Sequence, residues 1–152
     1  MAYQCEIKEQ SAQPALSVRT RASVAELPAL IEKTYGAIFQ YLGELGESPA
    51  GPPFSAYYNM DMQNLDVEIG VPVAKKLAGK GEVQASEIPG GRAATCLHVG
   101  PYDKMQPAYQ ALMQWMGANG YEAKGVAYEV YLNDPAQSPP EEWQTLISFP
   151  LK

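Results

Sequence analysis

Residues 35–46 read Tyr-Gly-Ala-Ile-Phe-Gln-Tyr-Leu-Gly-Glu-Leu-Gly, and residues 109–120 read Tyr-Gln-Ala-Leu-Met-Gln-Trp-Met-Gly-Ala-Asn-Gly. Five of the twelve positions are identical: Tyr35/Tyr109, Ala37/Ala111, Gln40/Gln114, Gly43/Gly117 and Gly46/Gly120. Four more keep apolar character: Ile38/Leu112, Phe39/Met113, Tyr41/Trp115 and Leu42/Met116. The same offset pairs Tyr57 with Tyr131 and Asn59 with Asn133, and with a small shift Val71-Pro72-Val73 matches Phe149-Pro150-Leu151. A fixed-offset self-match is the mark of a duplicated unit. The chain reads as two copies of one module, about 3–73 and 82–151, within a single domain spanning 1–152. Two fused copies create a pseudo-twofold seam, a natural place for a pocket.

Outward from the matched helices, the pattern is strand-strand-helix-strand-strand, twice. Tyr3, Cys5 and Ile7 alternate with polar residues, as do Leu16, Val18 and Thr20, each a half-buried strand. Ser23 and Glu26 have capping-box spacing, but Pro28 moves the helix start toward Leu27. Leu27, Leu30, Ile31, Tyr35, Ile38, Phe39, Leu42 and Leu45 then follow helical spacing to a stop at Gly46. Phe54–Asn59 and Val67–Val73 read as strands, the second with one buried face and with Pro72 at its end. Lys75, Lys76 and Lys80 lie in the Ala74–Gly81 link between the halves.

In the second half, Val83–Ile88 and Ala93–Val99 flank the turn Pro89-Gly90-Gly91. Met105–Gly117 is a helix with Ala108, Tyr109, Leu112, Met113 and Met116 on one face. Val126–Leu132 and Thr145–Phe149 are the last strands, separated by the proline-rich loop Asn133–Pro140. Short connections imply mostly antiparallel pairing with two helices laid on the sheet, an α+β fold.

Composition narrows the function. At 152 residues the chain suits one core. Its net charge of −6, with 11 Lys+Arg that do not cluster into a face, makes it a poor binder of nucleic acid. No window is apolar enough for a transmembrane helix, and the N-terminus lacks a signal-peptide pattern. Cys5 and Cys96 could pair in principle, but without an export signal a cytoplasmic protein with two free, buried thiols is expected. Cys96 and His98 share a strand face, but two ligands do not make a metal site, and Cys5 is far away in sequence. The single histidine argues against a Ser-His or Cys-His pair. No phosphate-cradling loop is present, and no cofactor is expected.

The remaining signal is aromatic and acidic. There are ten tyrosines. In Val126-Ala127-Tyr128-Glu129-Val130-Tyr131-Leu132, Glu129 and Tyr131 share one face of the strand. Burying an unpaired carboxylate is costly, so three readings stand. Glu129 is exposed on an outer face, or it pairs with a Lys or Arg, or it faces a cavity for cationic or polar ligands. Tyrosines around a carboxylate suit the last, because ring faces attract cations.

Several segments together resemble the GyrI-like family, the small-molecule-binding fold used as the effector-binding domain of multidrug-sensing and AraC-type transcription regulators. They are Gly51-Pro52-Pro53-Phe54-Ser55-Ala56-Tyr57, Asp66-Val67-Glu68-Ile69-Gly70-Val71-Pro72-Val73, His98-Val99-Gly100-Pro101-Tyr102 and Tyr128-Glu129-Val130-Tyr131-Leu132-Asn133-Asp134-Pro135. The resemblance covers essentially the whole chain. It implies a curved sheet with two helices and a groove on the pseudo-dyad for hydrophobic, often cationic, drug-like molecules. It maps the family's acidic pocket residue onto Glu129 and the pocket aromatics onto Tyr57, Tyr102, Tyr109, Tyr131 and Phe149. The family often has an acid where this chain has Leu146, although Glu68 keeps its first-half equivalent. No helix-turn-helix precedes Tyr3, so direct DNA binding is not expected. Two alternatives belong to the same resemblance: a hydrolase detoxifying reactive cyclopropane-containing natural products, and a gyrase-inhibitor-like modulator that binds protein.

Overall fold

The computed structural model describes residues 3–133 and 137–152, so Asp134 and Pro135 of the last motif lie outside the described residues. The described residues form two helices and eight strands, an α+β fold. In chain order these are β1 (Cys5–Gln10), β2 (Gln13–Ala22), α1 (Leu27–Leu45), β3 (Phe54–Tyr57), β4 (Leu65–Pro72) and β5 (Gln84–Ile88). Then follow β6 (Gly91–Val99), α2 (Gln106–Ala118), β7 (Ala127–Tyr131) and β8 (Gln144–Pro150). They divide into two compact units, one of Ser11–Gly90 and one of Met1–Gln10 with Gly91–Lys152.

In the Ser11–Gly90 unit the strands pair antiparallel in the order β3-β4-β2-β5. Leu65, Val67, Ile69 and Val71 alternate along β4 and form its core with Leu16, Leu27, Ile38 and Leu42. The helix begins at Leu27, as Pro28 requires. Ser23 and Glu26 spend their hydrogen bonds on the turn before it: the Glu26 carboxylate accepts from Ser23 N at 2.9 Å and Ser23 Oγ at 3.0 Å. Gly46 closes the helix at φ 68°, a conformation that glycine adopts without steric cost.

The second face of β4 differs from expectation. Glu68 is buried there too, because hydroxyls meet its charge. Ser17 Oγ donates to Oε2 at 2.5 Å and Tyr58 Oη to Oε1 at 2.5 Å. Beside it, a Cβ on Gly70 would lie 2.7 Å from Cζ of Phe54 and 2.9 Å from Cβ of Ser17. That contact explains the glycine of the Asp66–Val73 motif.

In the other unit the order is β1-β6-β8-β7, again antiparallel. Ala108, Leu112 and Met116 of α2 pack on Ala94, Cys96, Ile147 and Phe149. Three apolar residues expected on the buried helix faces point outward instead: Phe39, Leu45 and Met113 are 43%, 42% and 49% exposed. Phe39 and Met113 occupy matching positions in the two helices.

The short links around Ser11-Ala12 and Pro89-Gly90 do not make hairpins of their flanking strands. β1 pairs with β6, and β5 pairs with β2. β1, from the first half of the sequence, thus lies in the unit that holds most of the second half, and β5, from the second half, lies in the unit of the first. A tight link fixes the distance between strand ends, not which neighbour a strand bonds to. Among the described residues, no helix is long and apolar enough to cross a membrane.

Candidate functional site around Glu129

Strand β7 alternates, so Ala127, Glu129 and Tyr131 share the face covered by α2. Glu129 is only 8% exposed. Across the sheet it is in register with Ile147, and Tyr131 with Thr145. From α2, the Tyr109 hydroxyl donates a short hydrogen bond to Glu129 Oε2. The Tyr131 hydroxyl donates to Oε1 at 3.0 Å. Each carboxylate oxygen is therefore capped by a phenol. No Lys or Arg pairs with Glu129 among the described residues.

Aromatic rings extend this arrangement. Tyr109 meets Phe149 of β8 with ring centroids 5.8 Å apart. Tyr102, in the 3-10 turn after β6, lies 5.4 Å from Tyr131 and stacks on Trp143 at 4.5 Å. Trp143 is held by its indole N–H, which donates to Ser138 O at 2.9 Å. Sequence reading did not select Trp143. Its signal was the alternation Trp143, Thr145, Ile147, Phe149, which sets it on the Tyr131 face one step beyond the strand's end.

The turn that presents Tyr102 has a local cause. Gly100 adopts φ 137°, and its N–H donates to Trp143 O at 2.8 Å. His98 Nε2 then reaches Pro101 O at 3.0 Å, and since a carbonyl only accepts, Nε2 carries the proton. Nδ1 is left to accept from Tyr3 Oη at 3.4 Å. His98 is in register with Thr145, which is in register with Tyr131. Thr145 Oγ1 is fully buried and has no hydrogen-bond partner among the described residues.

Of the six residues expected to bind ligand, Glu129, Tyr131, Tyr102, Tyr109 and Phe149 lie in this unit. Tyr57 ends β3 in the Ser11–Gly90 unit, half-buried against Leu27, Leu65, Val67 and Ile69. No group of three His, Cys, Asp or Glu side chains suited to a metal occurs among the described residues.

Burial raises the Glu129 pKa above its ordinary 4.5, opposed by the Tyr109 and Tyr131 hydrogen bonds and by nearby His98. Desolvation is the larger effect.

The GyrI-like small molecule binding domain family matches this chain over residues 3–152. The C-terminal domain of EcmrR is similar, at 27% identity and TM-score 0.79, with 100% of this chain and 99% of that one covered. EcmrR in its complex with DNA matches at 29% identity and TM-score 0.87. There the match covers 100% of this chain, which spans only 58% of that longer one. SAV2435 bound to tetraphenylphosphonium shares the fold, at 10% identity and TM-score 0.64, over 100% of this chain and 94% of that chain. No curated protein matches.

Proposed function

Because the chain belongs to the family of GyrI-like small-molecule-binding domains, we propose that it binds hydrophobic cations among Tyr102, Tyr109, Tyr131, Trp143 and Phe149, with Glu129 as the acidic anchor. One observation carries the reading. A carboxylate that is 8% exposed, without a Lys or Arg partner among the described residues, is ringed by aromatic side chains. Two hydroxyl caps make its burial tolerable, as they do for Glu68, but they bring no opposite charge, and here the surroundings are aromatic rings. A ligand cation makes use of it twice, through Coulomb attraction in a low dielectric and through the ring faces.

A quaternary cation carries no hydrogen-bond donors, so it has no need to replace both tyrosine hydroxyls on the carboxylate. Thr145 Oγ1, buried beside Tyr131 in the register, offers a further polar contact for a ligand bearing a hydrogen-bonding group. The matching register of the units, Tyr57 opposite Val67 and Tyr131 opposite Thr145, supports a duplication in which only the second copy kept the acid; Ser55 stands where Glu129 does. Duplex DNA is no part of this reading, given the net charge of −6.

Tetraphenylphosphonium and tetraphenylborate have nearly the same shape and opposite charge. Calorimetric titration of both should give saturable binding of the cation and affinity at least about tenfold weaker for the anion. Equal affinity for the two ions would sink the proposal, because the site would then be reading shape and apolar area only.

A further inference from the structure

Cys5 and Cys96 are far apart in the sequence and directly opposite each other in the sheet. They are Cα partners in the antiparallel register of β1 and β6. Residues paired in this way have Cα atoms about 4.5–5.5 Å apart, within the roughly 4.4–6.8 Å span of a disulfide. Both thiols are free. Both lie on the α2 side of the sheet, Cys96 inside the core cluster and Cys5 packed against it.

Their access differs. Cys96 is 1% exposed, whereas Cys5 is half-buried. Cys5 lines a groove of about 530 Å³ with Tyr3, Gln110, Gln114 and Trp115. A small oxidant entering this groove meets Cys5 and not Cys96. None of the residues lining the groove is charged, so a neutral reagent displaces no ion's hydration on entering it.

We propose that Cys5 and Cys96 form an oxidisable dithiol, with Cys5 the sulfur that reacts through the groove and Cys96 the one that resolves it. The oxidant class is a hydroperoxide, ROOH. Cys5 Sγ attacks the terminal peroxide oxygen, so an S–O bond forms and the O–O bond breaks. The sulfur is oxidised to a sulfenic acid, and ROH leaves with the thiol's proton. Cys96 Sγ then attacks Cys5 Sγ. The S–S bond forms, the S–O bond breaks, and hydroxide leaves with the Cys96 proton as water.

The order follows from the environment. The Cys96 thiol is pushed up to about 12, first by burial and then by the charge of Cys5 and its hydrogen bond. Cys96 therefore stays protonated while Cys5 reacts. This inference is independent of ligand binding at Glu129.

The test is oxidation of the folded chain with hydrogen peroxide, followed by denaturing alkylation, intact mass and peptide mapping. A mass loss of two hydrogens and a Cys5–Cys96 linked peptide are expected as the main product. Cys96→Ser should instead leave Cys5 as a sulfenic acid that dimedone traps, and Cys5→Ser should protect Cys96 by about tenfold or more in rate. Intermolecular disulfides as the main product would overturn the proposal. So would wild-type oxidation of Cys96 in the Cys5→Ser chain. Resistance of the folded wild type, when urea-unfolded chain oxidises readily, would overturn it as well, and that result needs no variant to fold.

Discussion

Replacing Glu129 with alanine is expected to weaken tetraphenylphosphonium binding by about 2–5 kcal/mol, roughly thirty- to several-thousand-fold, the scale for removing a buried charge partner. Neutral triphenylphosphine oxide, which keeps three of the four phenyl rings, should lose less than about tenfold, because its contacts with Tyr109, Tyr131 and Phe149 remain. Stability should hold or rise, since an empty desolvated carboxylate is a liability. The measurement is calorimetric titration of both compounds against wild type and variant, with thermal melts alongside. Equal losses for both compounds would mean that Glu129 shapes the pocket without reading charge. No loss for either would place it outside the site.

Acid should act on binding and on stability in opposite directions. Burial raises the Glu129 pKa above 4.5, so the folded chain holds this proton to higher pH than the unfolded chain does. The stability this contributes is complete below 4.5 and is lost as pH rises through the folded pKa. A cation needs the carboxylate ionised. Below the folded pKa its affinity should therefore fall about tenfold for each pH unit, with a proton released on binding. Glu129→Gln isolates this group from the other titrating residues. Tetraphenylphosphonium titrations and melts across the acidic range should show both slopes in wild type and neither in Glu129→Gln. Matching slopes in the two chains would assign the pH dependence to other groups.

Much of this fold is legible in local pattern. The alternation in Leu65–Pro72 and the helical spacing from Leu27 to Gly46 mark elements whose hydrogen bonds are local or whose buried face is periodic. What the pattern does not carry is partner choice. Nothing in Cys5–Gln10 or Gln84–Ile88 states which strand each bonds to, so the exchange of β1 and β5 appears only in the register. The adjacency of Cys5 and Cys96 was hidden for the same reason.

Glu68 shows a second limit. Alternation predicts one wet face for β4, but the Ser17 and Tyr58 hydroxyls make burial of that carboxylate tolerable, and they come from β2 and from the residue just after β3. At the candidate site, Glu129 stood out because a carboxylate within an aromatic and β-branched strand has no local explanation. Its capping by Tyr109 depends on where α2 crosses the sheet, which residue spacing alone does not set. Trp143 lay one alternation step past the visible strand, where the signal fades into a loop.

The most direct test is a crystal structure of the chain with tetraphenylphosphonium bound. The phosphonium centre is expected among the rings of Tyr109, Tyr131 and Phe149, with the Glu129 carboxylate as its nearest charge and at least one tyrosine hydroxyl drawn off that carboxylate. A cation seated in the Tyr3–Trp115 groove or beside Glu68, with Glu129 still capped by Tyr109 and Tyr131, would contradict it.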